Sequence, residues 1–439
     1  MKLFSIILLV LIFRTFGGVT PLRGSEPGPV NRLEAPGGSS LINDWITVHL
    51  KTIRNDKSLN HHHRQSAYTG VALYESIVKG DKNYRSLTGQ LNGYQPVIKW
   101  TGSDDICWPS SANSAMATML RFFYSRDPAG IMRFDSLENA WKQRLLKDGY
   151  SEVAVNAGSQ YGSLVGQSVI EWSKTDDDDK ANTTYSVPKG LGLWEPTPPK
   201  FPNPITPFMG NNRTFVKGSI DNTVPPPPLL FSVESPSEFY KMANEVYKTS
   251  ILLDAEKKSI GIFWDDFPDG ITVTSGGHWA SILKTVMEDR QVSLIEGAHL
   301  YAELFISTND AAIGCFKAKY TYNLLRPVTF IQKYMNHPEW NPMIVTPPHP
   351  EYPAAHAVIS MAAATILKRL MGDKVAFTDN TYSYRNYKAH HFNNFEEAAR
   401  EAGISRFYGG IHYLPSIEAG YIQGEKIANN VANSLVFKN

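Results

Sequence analysis

Pro353-Ala354-Ala355-His356, running on into Ala357-Val358-Ile359-Ser360-Met361-Ala362-Ala363-Ala364-Thr365-Ile366-Leu367, decides the fold class of this 439-residue chain. The stretch reads as one apolar helix over 354–371 that opens beside a histidine. Working outward, apolar positions at mixed three- and four-residue spacing predict further helices. They fall at 42–77, 110–123, 135–146 and 152–172, then at 237–263, 292–308, 311–325, 396–402 and 417–435. No run alternates as a strand would, so the fold class is all-α, helical bundles packed together. An apolar content of 42% is enough for a large core.

Between the two groups of helices, 185–235 breaks the pattern. Trp194-Glu195-Pro196-Thr197-Pro198-Pro199 and the prolines 225–228 cannot continue a helix, because proline lacks the donor and clashes with the preceding turn. The expected organisation is an N-terminal helical half at 41–184, a connection at 185–235 lying over the surface, and a C-terminal half at 236–439. Ahead of these, Met1-Lys2 and the apolar run 3–13 read as a signal peptide ending near 18, too short to span a bilayer. Residues 19–40, rich in Gly, Pro and Ser, read as a flexible lead. The mature chain is therefore expected outside the cytoplasm, periplasmic or extracellular, without stable membrane insertion.

A formal net charge of +1 gives no general attraction to nucleic acid or membrane surface, so any cationic site must be local. One such site is spelled in the C-terminal half. Lys319 precedes Arg326-Pro327 by seven residues, His356 follows Pro353, and Ser405-Arg406 precedes His412. Lys319 and Arg326, two turns apart on one expected helix, share a side, and Pro327 is expected to stop that helix. Arginine offers a planar fork of donors to an oxyanion and lysine a compact charge. His356, opening its helix, sits where backbone N–H groups favour anions. Its pKa near neutrality suits an acid or base. Gly409-Gly410 allows a close approach between Arg406 and His412.

In this order and spacing, the motifs resemble those of the vanadium-dependent haloperoxidases and their relatives in the type 2 phosphatidic acid phosphatase superfamily. The likeness extends over about 40–435. It takes in Phe263-Trp264-Asp265-Asp266 through Ser275-Gly276-Gly277-His278-Trp279, read as a loop, which looks like the bacterial secreted members. It implies two four-helix bundles and one vanadate per chain. Lys319, Arg326, Ala355 and Arg406 would bind its oxygens, and His412 would be its ligand. His356 would be the acid/base, and Lys319 would polarise bound peroxide. The implied reaction is oxidation of halide by hydrogen peroxide to hypohalous acid, passed to a small organic acceptor. His349 and Phe316 would line the pocket, and His349 implies bromide or iodide over chloride.

Three positions depart from the family pattern. Pro353-Ala354-Ala355-His356 stands where Pro-Ser-Gly-His is usual, so Ala354 offers no hydroxyl. Ser416 stands where an aspartate usually orients the third-motif histidine, which leaves that carboxylate missing. These departures keep open two alternatives, an acid phosphatase working through a phosphohistidine on His412 and a degenerate anion-binding relative. Elsewhere, His61-His62-His63 reads as a surface cluster and Asp176–Asp179 as a solvated loop. Neither Cys107 nor Cys315 has the spacing of a metal site.

Overall fold

In the computed structural model, residues 33, 37–55, 62–267 and 270–439 are described. The expected signal peptide and most of the expected lead lie outside them. Among the described residues the chain forms thirteen α-helices. These are α1 (Ser40–Asn55), α2 (His62–Ile77), α3 (Trp108–Phe123), α4 (Pro128–Lys147), α5 (Glu152–Ser173), α6 (Glu238–Leu252) and α7 (Ala255–Phe263). They are followed by α8 (Thr274–Asp289), α9 (Leu294–Tyr322), α10 (Pro327–Tyr334), α11 (Ala355–Met371), α12 (Phe395–Tyr408) and α13 (Leu414–Ser434). A small antiparallel pair, β1 (Phe377–Asp379) and β2 (His390–Phe392), has no alternating signature long enough to be read from sequence. None of the described helices is long and apolar enough to cross a membrane.

The boundaries follow local chemistry. Ser151, Ser237, Asp254, Ser293 and Asn394 cap α5, α6, α7, α9 and α12, each side chain accepting the N–H three residues on. Helices α3, α4, α10 and α13 have proline in the first turn, where its missing N–H costs nothing. Asp254 is why the expected helix over 237–263 is two helices. The two helices expected over 292–325 are one helix of 29 residues, α9, buried on nearly every face. A helix apolar all round belongs in a core. One side of α9 meets α2 and the other meets α11 and α13, so it is shared by two bundles, α2–α3–α5 and α11–α12–α13.

Two features place the site. Gly420 and Gly424 of α13 lie against α11. A Cβ at Gly424 would stand 2.1 Å from the Val358 carbonyl oxygen, so only glycine permits this approach. The 185–235 connection is more than a surface strap. Asp310, fully buried on α9, accepts from the Phe215 and Val216 N–H groups and the Ser219 hydroxyl. Burial pushes its carboxyl up to about 6. Trp194 N–H donates to the Asn323 carbonyl at 2.6 Å, so the connection is tied to both ends of the α9 C-terminal half.

Other expectations change on the same grounds. Asp176 is buried against Arg64 at 2.6 Å and Tyr68 at 2.9 Å rather than solvated. Cys107 and Cys315 are both buried thiols, not joined to each other in a disulfide. Ser275–Trp279 is the first turn and a half of α8, not a loop.

Candidate active site

Four chain segments converge on a cavity of about 190 Å³. They are the C-terminal half of α9, the 345–356 segment entering α11, the last turn of α12 with the 409–413 turn, and 265–267 after α7, and α2, α8 and the 205–209 connection close the cavity around them. Arg326 is not on the helix of Lys319. Helix α9 ends at Tyr322, Asn323 takes a left-handed conformation, and Arg326 becomes the N-cap residue of α10. Pro327 therefore starts a helix rather than stopping one, since a fixed φ suits the first helical position. The expected shared side is reached through a turn.

His412 is held from both ring nitrogens. Its Nδ1 donates to Glu351 Oε1 at 2.7 Å, and Arg326 Nη1 donates to its Nε2 at 3.1 Å. An ionised carboxylate can only accept, so the proton belongs on Nδ1 and the lone pair on Nε2. Glu351 also accepts from the Tyr413 N–H at 3.0 Å and from the Ser416 hydroxyl at 2.6 Å. The carboxylate absent at Ser416 is thus supplied by Glu351, and Ser416 fastens it. The expected gap beside His412 is corrected by this residue. Its only sequence signal is an acidic residue set between Pro350 and Pro353, next to the second motif.

Arg326 is fully buried. Its Nε donates to the His349 carbonyl at 3.0 Å, Nη1 also to the Ile411 carbonyl at 2.8 Å, and Nη2 to His349 Nδ1 at 3.0 Å. Lys319, equally buried, donates to the Pro350 and Glu351 carbonyls, both at 2.9 Å. These two cations stand behind the wall. His356, His412, Arg406, Ala355, His349 and Phe316 face the cavity itself. Phe316 and His349 rings pack 5.2 Å apart. Arg406 donates to the Trp264 carbonyl and lies 3.9 Å from Asp265, while its buried Nε has no hydrogen-bond partner among the described residues. His356 Nε2 lies 3.4 Å from Asp266 Oδ2. His62 and His63, expected on the surface, line the same cavity, tied to Thr274 and Ser275 of α8. His61 lies outside the described residues. Ile205, Thr206 and Met209 of the connection complete the apolar side.

The electrostatics match an anion. Burial pushes the Lys319 ammonium down to about 7 and the Arg326 guanidinium down to about 10. Burial, then Arg326 and Lys319, hold His412 well below its usual range, and burial with Arg406 brings His356 down to about 4. A bound oxyanion returns to this cluster the negative charge that desolvation withholds. The unshared Arg406 Nε, the Nε2 face of His412 and the open N-terminus of α11 are donors and a ligand fitted to a tetrahedral or trigonal-bipyramidal oxyanion.

Ala354 is the N-cap residue of α11 and makes no side-chain cap. Ala354→Ser should cap the helix, adding about 1 kcal/mol of stability. If its hydroxyl also reaches the anion, a charged hydrogen bond of about 1.5–3 kcal/mol tightens oxyanion binding about tenfold or more. Vanadate titration of the two proteins checks this, and an unchanged affinity would show that position 354 does not meet the anion.

Residues 299–437 match the family of VCPO second helical-bundle domains. A solved structure described as the first bacterial vanadium-dependent iodoperoxidase superposes with a TM-score of 0.82 at 32% identity, over 91% of this chain and 97% of that one. Bacterial vanadium-dependent chloroperoxidase shares the fold. Its apo form aligns with a TM-score of 0.63 at 12% identity over 87% of this chain and 94% of its own. Its holo form gives 0.63 at 13% over 92% and 94%. No curated protein matches the chain.

Proposed function

The chain belongs to the vanadium-dependent haloperoxidases, and from that premise we propose that it uses one vanadate to oxidise halide with hydrogen peroxide, iodide or bromide before chloride. The observation that carries this is His412, whose Nδ1 is clamped by Glu351 so that Nε2 is presented beside Arg326 at the cavity wall. Vanadate, when bound, supplies a Lewis acid that activates peroxide at constant oxidation state.

The chain's own residues do the rest. His412 Nε2 is the ligand atom. Arg326 and Arg406 would neutralise the oxygens of the group, the Ala355 N–H would donate from the start of α11, and Lys319 would add positive charge from behind to polarise peroxide. Electrostatic stabilisation of this kind is strongest where water is excluded, and all three cations are buried. His356 is the acid/base. Its Nε2 faces Asp266, so the proton exchanged with peroxide is carried at Nδ1. The halide preference rests on His349 and Phe316 in the wall and on the likeness to an iodoperoxidase. We propose an exported protein on the strength of 1–18.

The test is steady-state oxidation of iodide, bromide and chloride by peroxide after loading with orthovanadate. Iodide should give the highest kcat/KM, bromide less, and chloride none. Chloride turnover equal to bromide would overturn the preference. The Glu351–His412 pair also suits a histidine nucleophile, which keeps phosphate monoester hydrolysis as a second reading. Turnover of a chromogenic phosphate in vanadate-free buffer would favour it.

A further inference from the structure

Behind His356 runs a line of buried polar side chains that the reaction above leaves unused. Asp266 Oδ1 accepts from His278 Nδ1 at 3.0 Å and from the Tyr382 hydroxyl at 2.5 Å. His278 Nε2 reaches Asp379 Oδ2, at the end of β1, at 2.8 Å. Asp379 Oδ1 accepts in turn from the Thr381 N–H at 3.0 Å. His278 is fully buried, and the Trp264 ring stacks on it at 4.1 Å with an interplanar angle of 19°.

We propose that Asp266 positions His356, and that the His278–Asp379 pair keeps Asp266 ionised. A buried chain of contacts, Asp379–His278–Asp266–His356, then sets the tautomer of the acid/base histidine. The proposal rests on the reading of His356 as that residue.

The chemistry of the contacts leads there. Both nitrogens of His278 face carboxylate oxygens, and an ionised carboxylate can only accept, so each nitrogen carries a proton. The imidazolium lies between two negative charges, an arrangement in which removing either partner leaves an uncompensated buried charge. Burial acts against the charge on His278, and Asp266 with Asp379 overrides it, pushing His278 up to about 10. The same pairing holds Asp266 below the usual carboxylate range although burial acts to raise it. With Oδ1 taken by two donors, the free oxygen of Asp266 is Oδ2, and it points at His356 Nε2 from 3.4 Å. A carboxylate there favours the proton on Nε2 and leaves the Nδ1 lone pair for substrate. The contact is long for a hydrogen bond, as catalytic contacts often are without ligand, and it shortens when His356 takes a second proton. The groups facing the pair are Arg406 on the His356 side and Tyr382 on the His278 side.

The test uses the full chain labelled with nitrogen-15 at histidine. In the ligand-free protein at neutral pH, His278 should show both ring nitrogens protonated and His356 the Nε2–H tautomer. Asp266→Asn should shift His356 toward a mixture of tautomers. In the vanadate-loaded enzyme it should lower kcat by about 10–100-fold, with vanadate Kd changed by less than about threefold. Asp379→Asn, which leaves the Asp266–His356 contact in place, should still move the His356 resonances and guards against a misfolded Asp266 variant. A singly protonated His278, or an Asp266→Asn protein with wild-type His356 tautomer and kcat, would overturn the proposal. The spectra need no halide and no vanadate, so they decide the positioning role even if the wild-type chain oxidises no halide.

Discussion

His412→Ala should abolish vanadate-dependent halide oxidation while leaving the protein folded. The Nε2 of His412 is a neutral nitrogen lone pair at the cavity, fixed in tautomer by Glu351, which holds the other side of the ring at 2.7 Å. Loss of an outer partner of a ligating histidine costs about 10–100-fold, so loss of the ligand itself should exceed about 100-fold. The fold should survive because the ring fills a cavity wall, and Glu351 keeps Tyr413, Ser416 and its buried cationic neighbours. Thermal unfolding and vanadate binding, measured alongside turnover, separate loss of the ligand from loss of structure. A His412→Ala protein as active as its parent would show that another residue holds the vanadate.

The second large effect is expected at Glu351, a residue outside the three motifs. Glu351→Gln keeps shape and can still accept from the Tyr413 N–H, but it removes the negative charge that holds the His412 proton on Nδ1. Vanadate affinity should fall about 10–100-fold. Glu351→Ala should also destabilise the fold by about 3–5 kcal/mol, because it strips a buried carboxylate from beside Arg326 and Lys319. Vanadate titration of the Gln variant and denaturant unfolding of the Ala variant check the two claims. Equal vanadate affinity in parent and Glu351→Gln would mean that the tautomer of His412 is set by Arg326 alone.

The helical class and the convergence of Lys319, Arg326, His356, Arg406 and His412 on one region were legible because each depends on a local signal, a helical period or a motif of fixed spacing. The departures came from tertiary contacts. Ser416 alone reads as a missing carboxylate, since the Glu351 that replaces it is 65 residues upstream and meets it only when α11 and α13 pack. His62 and His63 read as surface residues because three adjacent histidines cannot share one helical face. The α2–α8 contact places them at the cavity nonetheless, His62 buried and His63 half-buried. Arg326 joins the site through the Asn323 turn rather than along the helix, because Pro327 favours a helix start as readily as a stop. Asp266 carried no motif signal beyond its neighbours, and its meaning depends on His278 arriving from α8.

The most direct measurement is iodide oxidation by hydrogen peroxide as orthovanadate is titrated into the vanadium-free full chain. Activity should be absent at the start, rise with added vanadate, saturate at one equivalent per chain, and be suppressed by competing phosphate. Full vanadate binding with no iodide or bromide turnover, or turnover that ignores vanadate, would contradict the account.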